Sequence, residues 1–476
     1  MKEVILSVGI DLGTSTTQLI FCKLTLENLA SSYTVPRISI VEKEVIYKSS
    51  IYFTPLKSQN EIDVALVKNL IKREYEEAKM TPDMLTSGAV IITGETARKE
   101  NANLVLRELS DMAGEFVVAT AGPDLESVLS AKGAGSDKIS ETEGITVANL
   151  DIGGGTTNIA VFGKGRLLGV SCLDIGGRLI KIEHNKIIYI YEKIKKLAKC
   201  NGINIEVGDT VDLVKLNKIC DLMAEELVMA IGLLEESKTH SYMYTNNGKK
   251  LSPSLKIEGI TYSGGVADCI YNTLSNDLFQ YGDIGILLGN AIRERVELKD
   301  IKVFKALETI RATVVGAGIH TTNVSGSTIS YSKEKLPIKN IPVIKIINDE
   351  ECDLDELSRS IAKHIPLYVT EGRVEQVAIS ISGNYHTSFL EVQKLAMAII
   401  QGAKEIIESE NTLIVIVEND IGKVLGNALK VLLENRRDVI CIDGIFAQLG
   451  DYIDIGEPIA NGRVVPVITK TLIFNS

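Results

Sequence analysis

Apolar and polar positions change period several times along the chain. VILSV (4–8) and QLIF (18–21) are β-rich runs on either side of a short polar turn, and ITVANL (145–150) and NIAVF (158–162) flank another. Residues 32–54 alternate and are rich in Tyr and β-branched residues, which predicts more strands. VALVKNLIKREYEEAK (64–79) carries apolar residues at helical spacing and stops before Thr81-Pro82. A strand over 87–93, a helix over 96–114 closed by Gly114, a strand over 116–120 and a helix opening near Pro123 follow.

The pattern then repeats with longer helices. KIIYIYEKIKKLAK (186–199) and residues 211–236 show helical periodicity, and ITYSGGVADCI (260–270) reads as a strand, a Gly-Gly turn and a helix. GAGIHTTNVSG (316–326) predicts a loop. From about 335, strands at VAISIS, TLIVIVE (412–418) and VICID (439–443) alternate with helices over 353–365, 388–408 and 420–434, an α/β unit with largely parallel strands. Glu418 and Asp420 fall at a strand end and read as a solvated loop, and Asn461-Gly462 marks a hairpin. These breaks suggest three units, 1–143, 144–334 and 335–476.

A repeat lies within the first two units. IDLGTSTTQLIF (10–21) aligns without gaps on LDIGGGTTNIAV (150–161), bringing Asp11 onto Asp151, Gly13 onto Gly153, Thr16 onto Thr156, Thr17 onto Thr157 and Gln18 onto Asn158. Each copy reads as strand, tight turn, strand. Glycines at such a tip let backbone N–H groups approach a phosphate, Thr hydroxyls add donors, and Asp is a hard oxygen ligand suited to Mg²⁺. One turn of this kind is ordinary; two in-register copies predict hairpins that grip one triphosphate from both sides.

Composition narrows the choice. The 476 residues are 45% hydrophobic and 24% charged, which predicts a folded protein of several domains. A formal charge of −11 without a basic stripe argues against nucleic-acid binding. The seven Cys form no CxxC pair and the five His show no metal-ligand spacing, so reduced thiols in a cytoplasmic protein are expected. No apolar stretch reaches the length needed to span a bilayer, and no P-loop or GxGxxG signature is present.

The two hairpins, with Ser263-Gly264-Gly265 third in order, resemble the actin-like ATPase superfamily, which shares its fold with sugar kinases and heat-shock chaperones. The resemblance implies duplicated ribonuclease-H-like α/β domains, here with an added C-terminal α/β region. It implies ATP and Mg²⁺ in the cleft, with adenosine lying on Gly264 and Gly265. Phosphates would meet Thr14, Ser15, Thr16, Gly154, Gly155 and Thr156, Gly13, Gly153 and Thr157 would complete the nucleotide site, and Asp11 and Asp151 would hold the metal shell. The stretch 89–133 resembles heat-shock ATPases, in which a helix N-terminus bears an acid facing the metal; Asp124 and Glu126 stand there. Asp151, Asp124 or Glu126 would orient the attacking water.

Over nearly its full length the chain is similar to the EutA family of reactivating factors for ethanolamine ammonia-lyase, through NLDIGGGTTNIAVF, ATAGPDLESVLSAKGAG and GEPIANGRVVPVITKTLIF. That resemblance implies a chaperone-like ATPase, not itself the lyase. It would bind the inactivated holoenzyme, release damaged cobalamin and admit adenosylcobalamin. Small-molecule kinases and actin-like scaffolds of the same fold are the alternatives. Homo-oligomerisation and placement in a bacterial ethanolamine-utilisation microcompartment are left open by the sequence.

Overall fold

The computed structural model describes the chain except residues 1, 14–15, 29–37, 59–60, 93–100, 102–103, 106–107, 110–111, 113–116, 121–122, 246–247, 273–276, 321, 326–328, 332–334, 371–372, 410, 448–450, 460–461, 463 and 472–476. Three sheets organise it.

In the first sheet, Lys2–Leu12 pairs antiparallel with Thr16–Asn28, which pairs antiparallel with Ile38–Lys48. On its other side Lys2–Leu12 runs parallel to Ser87–Ile92, which runs parallel to Val117–Thr120. The second sheet repeats this plan. Thr146–Ile152 pairs antiparallel with Thr157–Gly163 and through it with Arg166–Leu173, and runs parallel to Gly259–Ser263, itself parallel to Lys302–Val303. Strand order and direction match one for one, so the duplication read from the hairpins extends to whole sheets. This is the duplicated ribonuclease-H-like α/β plan.

The third sheet holds four parallel strands, Ile338–Lys345, Ala378–Ile381, Leu413–Val417 and Val439–Asp443, with the antiparallel Asp451–Ile455, Pro466–Thr471 and Thr322–Val324 on one edge. The interior strand Leu413–Val417 is wholly Leu, Ile and Val, as a strand buried on both faces requires. Helices Leu354–His364, Phe389–Gly402 and Gly422–Leu432 cover one face, the first two capped by Asp353 and by the Ser388/Glu391 capping box. Glu418 is paired with Lys345 at 2.5 Å and partly buried, not a free loop residue.

Two helices cross between the first two sheets. Pro123–Ala134 follows the first sheet yet packs Ala131 against Ala160 and Phe162 of the second. Ala312–His320 follows the second sheet yet packs Val314 and Val315 against Ile20 and Cys22 of the first. They touch at glycines. A Cβ on Gly133 would lie 1.9 Å from the Ala312 carbonyl oxygen, and one on Gly316 would lie 1.9 Å from that of Leu129. Within the glycine-rich stretch 316–326, expected to be a loop, residues 316–320 end a helix and Thr322–Val324 is a strand; Gly316 and Gly318 serve close packing rather than turns.

A second expectation also changes. Lys186–Ile190 is a strand paired with Ile180–Glu183, and the helix starts only at Glu192. Ile180, Ile182 and Ile187 alternate inward with exposed neighbours, a period-2 signal that the Lys-rich helix downstream obscured. The helix expected over 96–114 lies mostly outside the described residues. No helix among the described residues is long and apolar enough to cross a membrane.

Candidate functional site

Each hairpin tip follows from its register. Asp11 stands opposite Gln18 and Leu12 opposite Thr17; Asp151 stands opposite Asn158 and Ile152 opposite Thr157. Each tip is closed by one backbone hydrogen bond, Gly13 N–H to the Thr16 carbonyl at 2.8 Å and Gly153 N–H to the Thr156 carbonyl at 2.9 Å. The second tip is held from behind by Gly177 N–H and Arg178 N–H, which donate to the Gly153 and Gly154 carbonyls. The first is held by Thr54, whose hydroxyl donates to the Gly13 carbonyl at 2.8 Å.

The two tips face one cavity of about 260 Å³. From the first lobe come Asp11, Gly13, Thr16, Gln18 and Glu126; from the second come Asp151, Gly153, Gly154, Gly155, Thr156, Gly264 and Gly265. Glycine is required at 264: φ is +85°, and a Cβ would lie 2.4 Å from the Ile152 carbonyl oxygen. Gly265 differs, since a Cβ there would meet nothing within 4 Å, so its missing side chain leaves open space on the cavity wall.

Asp151 is buried at the end of its strand. Ser263 donates to its Oδ1 at 2.6 Å, and Thr313, from the crossing helix Ala312–His320, donates to Oδ2 at 3.4 Å. Burial pushes its carboxyl up to about 6 despite these bonds. A divalent cation beside it would restore the charged form. Asp11 is also buried, so two hard carboxylates from matching positions meet one cavity. Among the described residues no group of three or more His, Cys, Asp or Glu could hold a metal by itself. Two carboxylates facing one glycine-lined cavity suit an ion that keeps its waters and shares phosphate ligands, which is how magnesium binds.

Other predicted residues fare differently. Thr14 and Ser15 lie outside the described residues, as does the Asp124 side chain, although Asp124 is in the first turn of Pro123–Ala134. Thr157 does not line the cavity. It is fully buried and its hydroxyl donates to the Ile175 carbonyl at 2.8 Å, because the side chain next along the strand faces the opposite side of the sheet from its neighbour.

Sequence reasoning missed part of the wall: Arg178, Asp268, Tyr281, Asp283 and Thr313. Arg178 pairs with Asp283 at 3.2 Å and lies 5.8 Å from the ring centroid of Phe53 in the other lobe. Burial raises the Asp283 carboxyl, opposed by the Gly285 N–H and Arg178. Burial pushes the Cys269 thiol up to about 11, which favours the neutral thiol over the thiolate.

Comparison with known proteins adds the family. The chain is 36% identical over 474 residues to "Ethanolamine ammonia-lyase reactivase EutA" of Escherichia coli (strain K12), covering 99% of each chain. It is 36% identical over 478 residues to the protein of the same name from Salmonella typhimurium, again covering 99% of each. Among solved structures, a Ppx/GppA phosphatase from Aquifex aeolicus overlaps 66% of this chain and 99% of its own, at 13% identity and a TM-score of 0.37. The family model described as "Ethanolamine utilisation protein EutA" matches residues 3–475, and the chain belongs to that family.

Proposed function

We propose that the chain binds Mg-ATP between its two hairpins and uses it to reactivate ethanolamine ammonia-lyase, releasing damaged cobalamin so that adenosylcobalamin can enter. The observation that carries the nucleotide reading is the convergence of both Asp-x-Gly tips, and of Gly264 and Gly265, on one cavity. The lyase as target follows from the name its relatives bear over 99% of their length.

The backbone N–H groups of Gly154, Gly155 and Thr156, with Thr14, Ser15 and Thr16 of the first tip, would cradle the phosphates. Asp11 and Asp151 would hold magnesium, which when bound neutralises phosphate charge. Glu126 and Asp124, at the start of a helix, would orient the attacking water, with Asp151 as the other candidate. The adenosine would lie along Gly264 and Gly265, where no side chain intervenes. Such a site accelerates phosphoryl transfer by positioning and charge neutralisation.

The fold offers a route from cleft to surface. Ile468 of the C-terminal sheet packs in one cluster with Ala89 and Ile91 of the first sheet, Leu129 of one crossing helix and Ala317 of the other. A change in the angle between the lobes shifts the crossing helices and so displaces that contact. Nucleotide and lyase are then coupled through their different affinities for two arrangements.

The test takes ethanolamine ammonia-lyase inactivated with hydroxocobalamin and adds this protein, Mg-ATP and adenosylcobalamin. Deamination should return with wild type and not with Asp11→Ala or Asp151→Ala. Recovery equal to wild type in either variant, or none with wild type, would contradict the proposal. Phosphate transfer to a metabolite would point to the kinase alternative instead.

A further inference from the structure

Gln18 lines the cavity and is 2% exposed. Its carboxamide has two ends in different situations. Nε2 donates to the Ile310 carbonyl at 3.2 Å, joining the first hairpin to the segment that enters the crossing helix Ala312–His320. Oε1 is buried without a hydrogen-bond partner among the described residues. Leaving an acceptor in that state is unfavourable, and such atoms in native proteins have a partner supplied from elsewhere.

The other hairpin shows what is unusual here. Its equivalent residue, Asn158, has a shorter side chain, and its Oδ1 accepts from the Cys172 thiol at 2.9 Å within the same sheet. The two copies agree in Asp, Gly and Thr but part at this position. The first copy reaches across to Ile310 and keeps an acceptor in reserve.

Chemistry limits what can complete Oε1. An amide oxygen only accepts, so a phosphate oxygen cannot be its partner; an O–H or N–H donor, or a cation, can. Gln18 stands directly opposite Asp11 in the hairpin register, so their side chains share a face, and both line the cavity. A magnesium ion held by few protein ligands keeps several waters, each a donor.

We propose that Gln18 is a positioning residue for the hydrated divalent cation. Oε1 accepts from a water in the ion's shell while Nε2 holds the Ile310 carbonyl. Thr313, the second residue of the same helix, donates to Asp151. The two sides of the cation shell therefore converge on the start of one crossing helix, and filling the shell fixes that helix between the lobes. The inference rests on the Mg-nucleotide reading of the cleft.

The test uses the full chain with ADP as nucleotide and Mn²⁺ or Mg²⁺ as titrant. Cation affinity of the ADP complex is followed by calorimetry, and backbone hydrogen exchange over 309–318 is followed with and without Mg-ADP. In wild type, Mg-ADP should slow exchange over 309–318. Gln18→Met should weaken cation affinity about tenfold, leave cation-free ADP binding unchanged and abolish the added protection. Gln18→Glu keeps the acceptor but lacks the donor, so it should retain cation affinity while losing the protection. Wild-type cation affinity in Gln18→Met would overturn the proposal. So would equal weakening with and without cation, which marks a mere structural brace. A wild-type chain that binds no Mg-ADP would remove the cleft reading and this inference with it.

Discussion

Asp151 shows how a single buried carboxyl can tie folding to ligand binding. With its carboxyl pushed up to about 6, the folded chain without ligand holds a proton that the unfolded chain releases near the ordinary value of 3.8. Its contribution to stability is therefore full below about pH 4 and is lost as pH rises through about 6. Cation binding needs the charged form and so releases this proton. Apparent Mg²⁺ affinity in the presence of ADP should be flat above about pH 6 and fall about tenfold per unit below it, as calorimetry from pH 5 to 8 will read. Asp151→Asn should fold, lose that pH dependence and lower Mg-dependent ATP turnover by at least about a hundredfold. An unchanged turnover rate would show that the carboxylate takes no part. Asp151, Asp11 and the glycines were legible because duplication singles them out. Arg178, Asp268, Tyr281, Asp283 and Thr313 were not, because they reach the cavity from segments scattered between 178 and 313, and only the folded path of the chain brings them together. Thr157 misled because it resembles its neighbour in type while the pleat turns it to the other face.

The crossing helices carry the argument at the next scale. Each follows one sheet and packs on the other, and their contact depends on backbone meeting backbone at Gly133 and Gly316. Gly316→Leu should destabilise the protein by about 3 kcal/mol or more, read as a lower denaturant midpoint, because the carbonyl it would meet cannot give way. Gly265→Ala is the matched control: a Cβ there meets nothing within 4 Å, so the midpoint should stay within about 0.5 kcal/mol of wild type. The same methyl narrows the cavity, so the Kd for Mg-ATP should rise about tenfold. Equal midpoints for the two variants would contradict the packing described. The paired hairpins of the first two sheets could be foreseen from period and repeat. The helix over 312–320 could not, because glycines that permit close packing look in sequence like glycines that break a helix.

As a whole the molecule is two copies of one sheet plan joined over a cavity, with a third sheet set against the join through Ile468. Polar contacts join the lobes beside the apolar packing of the crossing helices: Arg311 donates to the Ser49 carbonyl at 2.8 Å, Lys43 to that of Ile319 at 3.0 Å, and Lys48 pairs with Glu308. Ligand bound across them should stabilise the chain by about 2.7 kcal/mol at a hundredfold excess over Kd, visible as a rise in melting midpoint with Mg-ATP that is absent with EDTA. The most direct measurement is a crystal grown with a non-hydrolysable ATP analogue and Mn²⁺ in place of Mg²⁺, with the metal located by its anomalous signal. The metal should lie between Asp11 and Asp151, with phosphate oxygens within hydrogen-bond reach of Thr16 and of Gly154 to Thr156. A metal or triphosphate bound anywhere else would contradict the shared grip of the two hairpins.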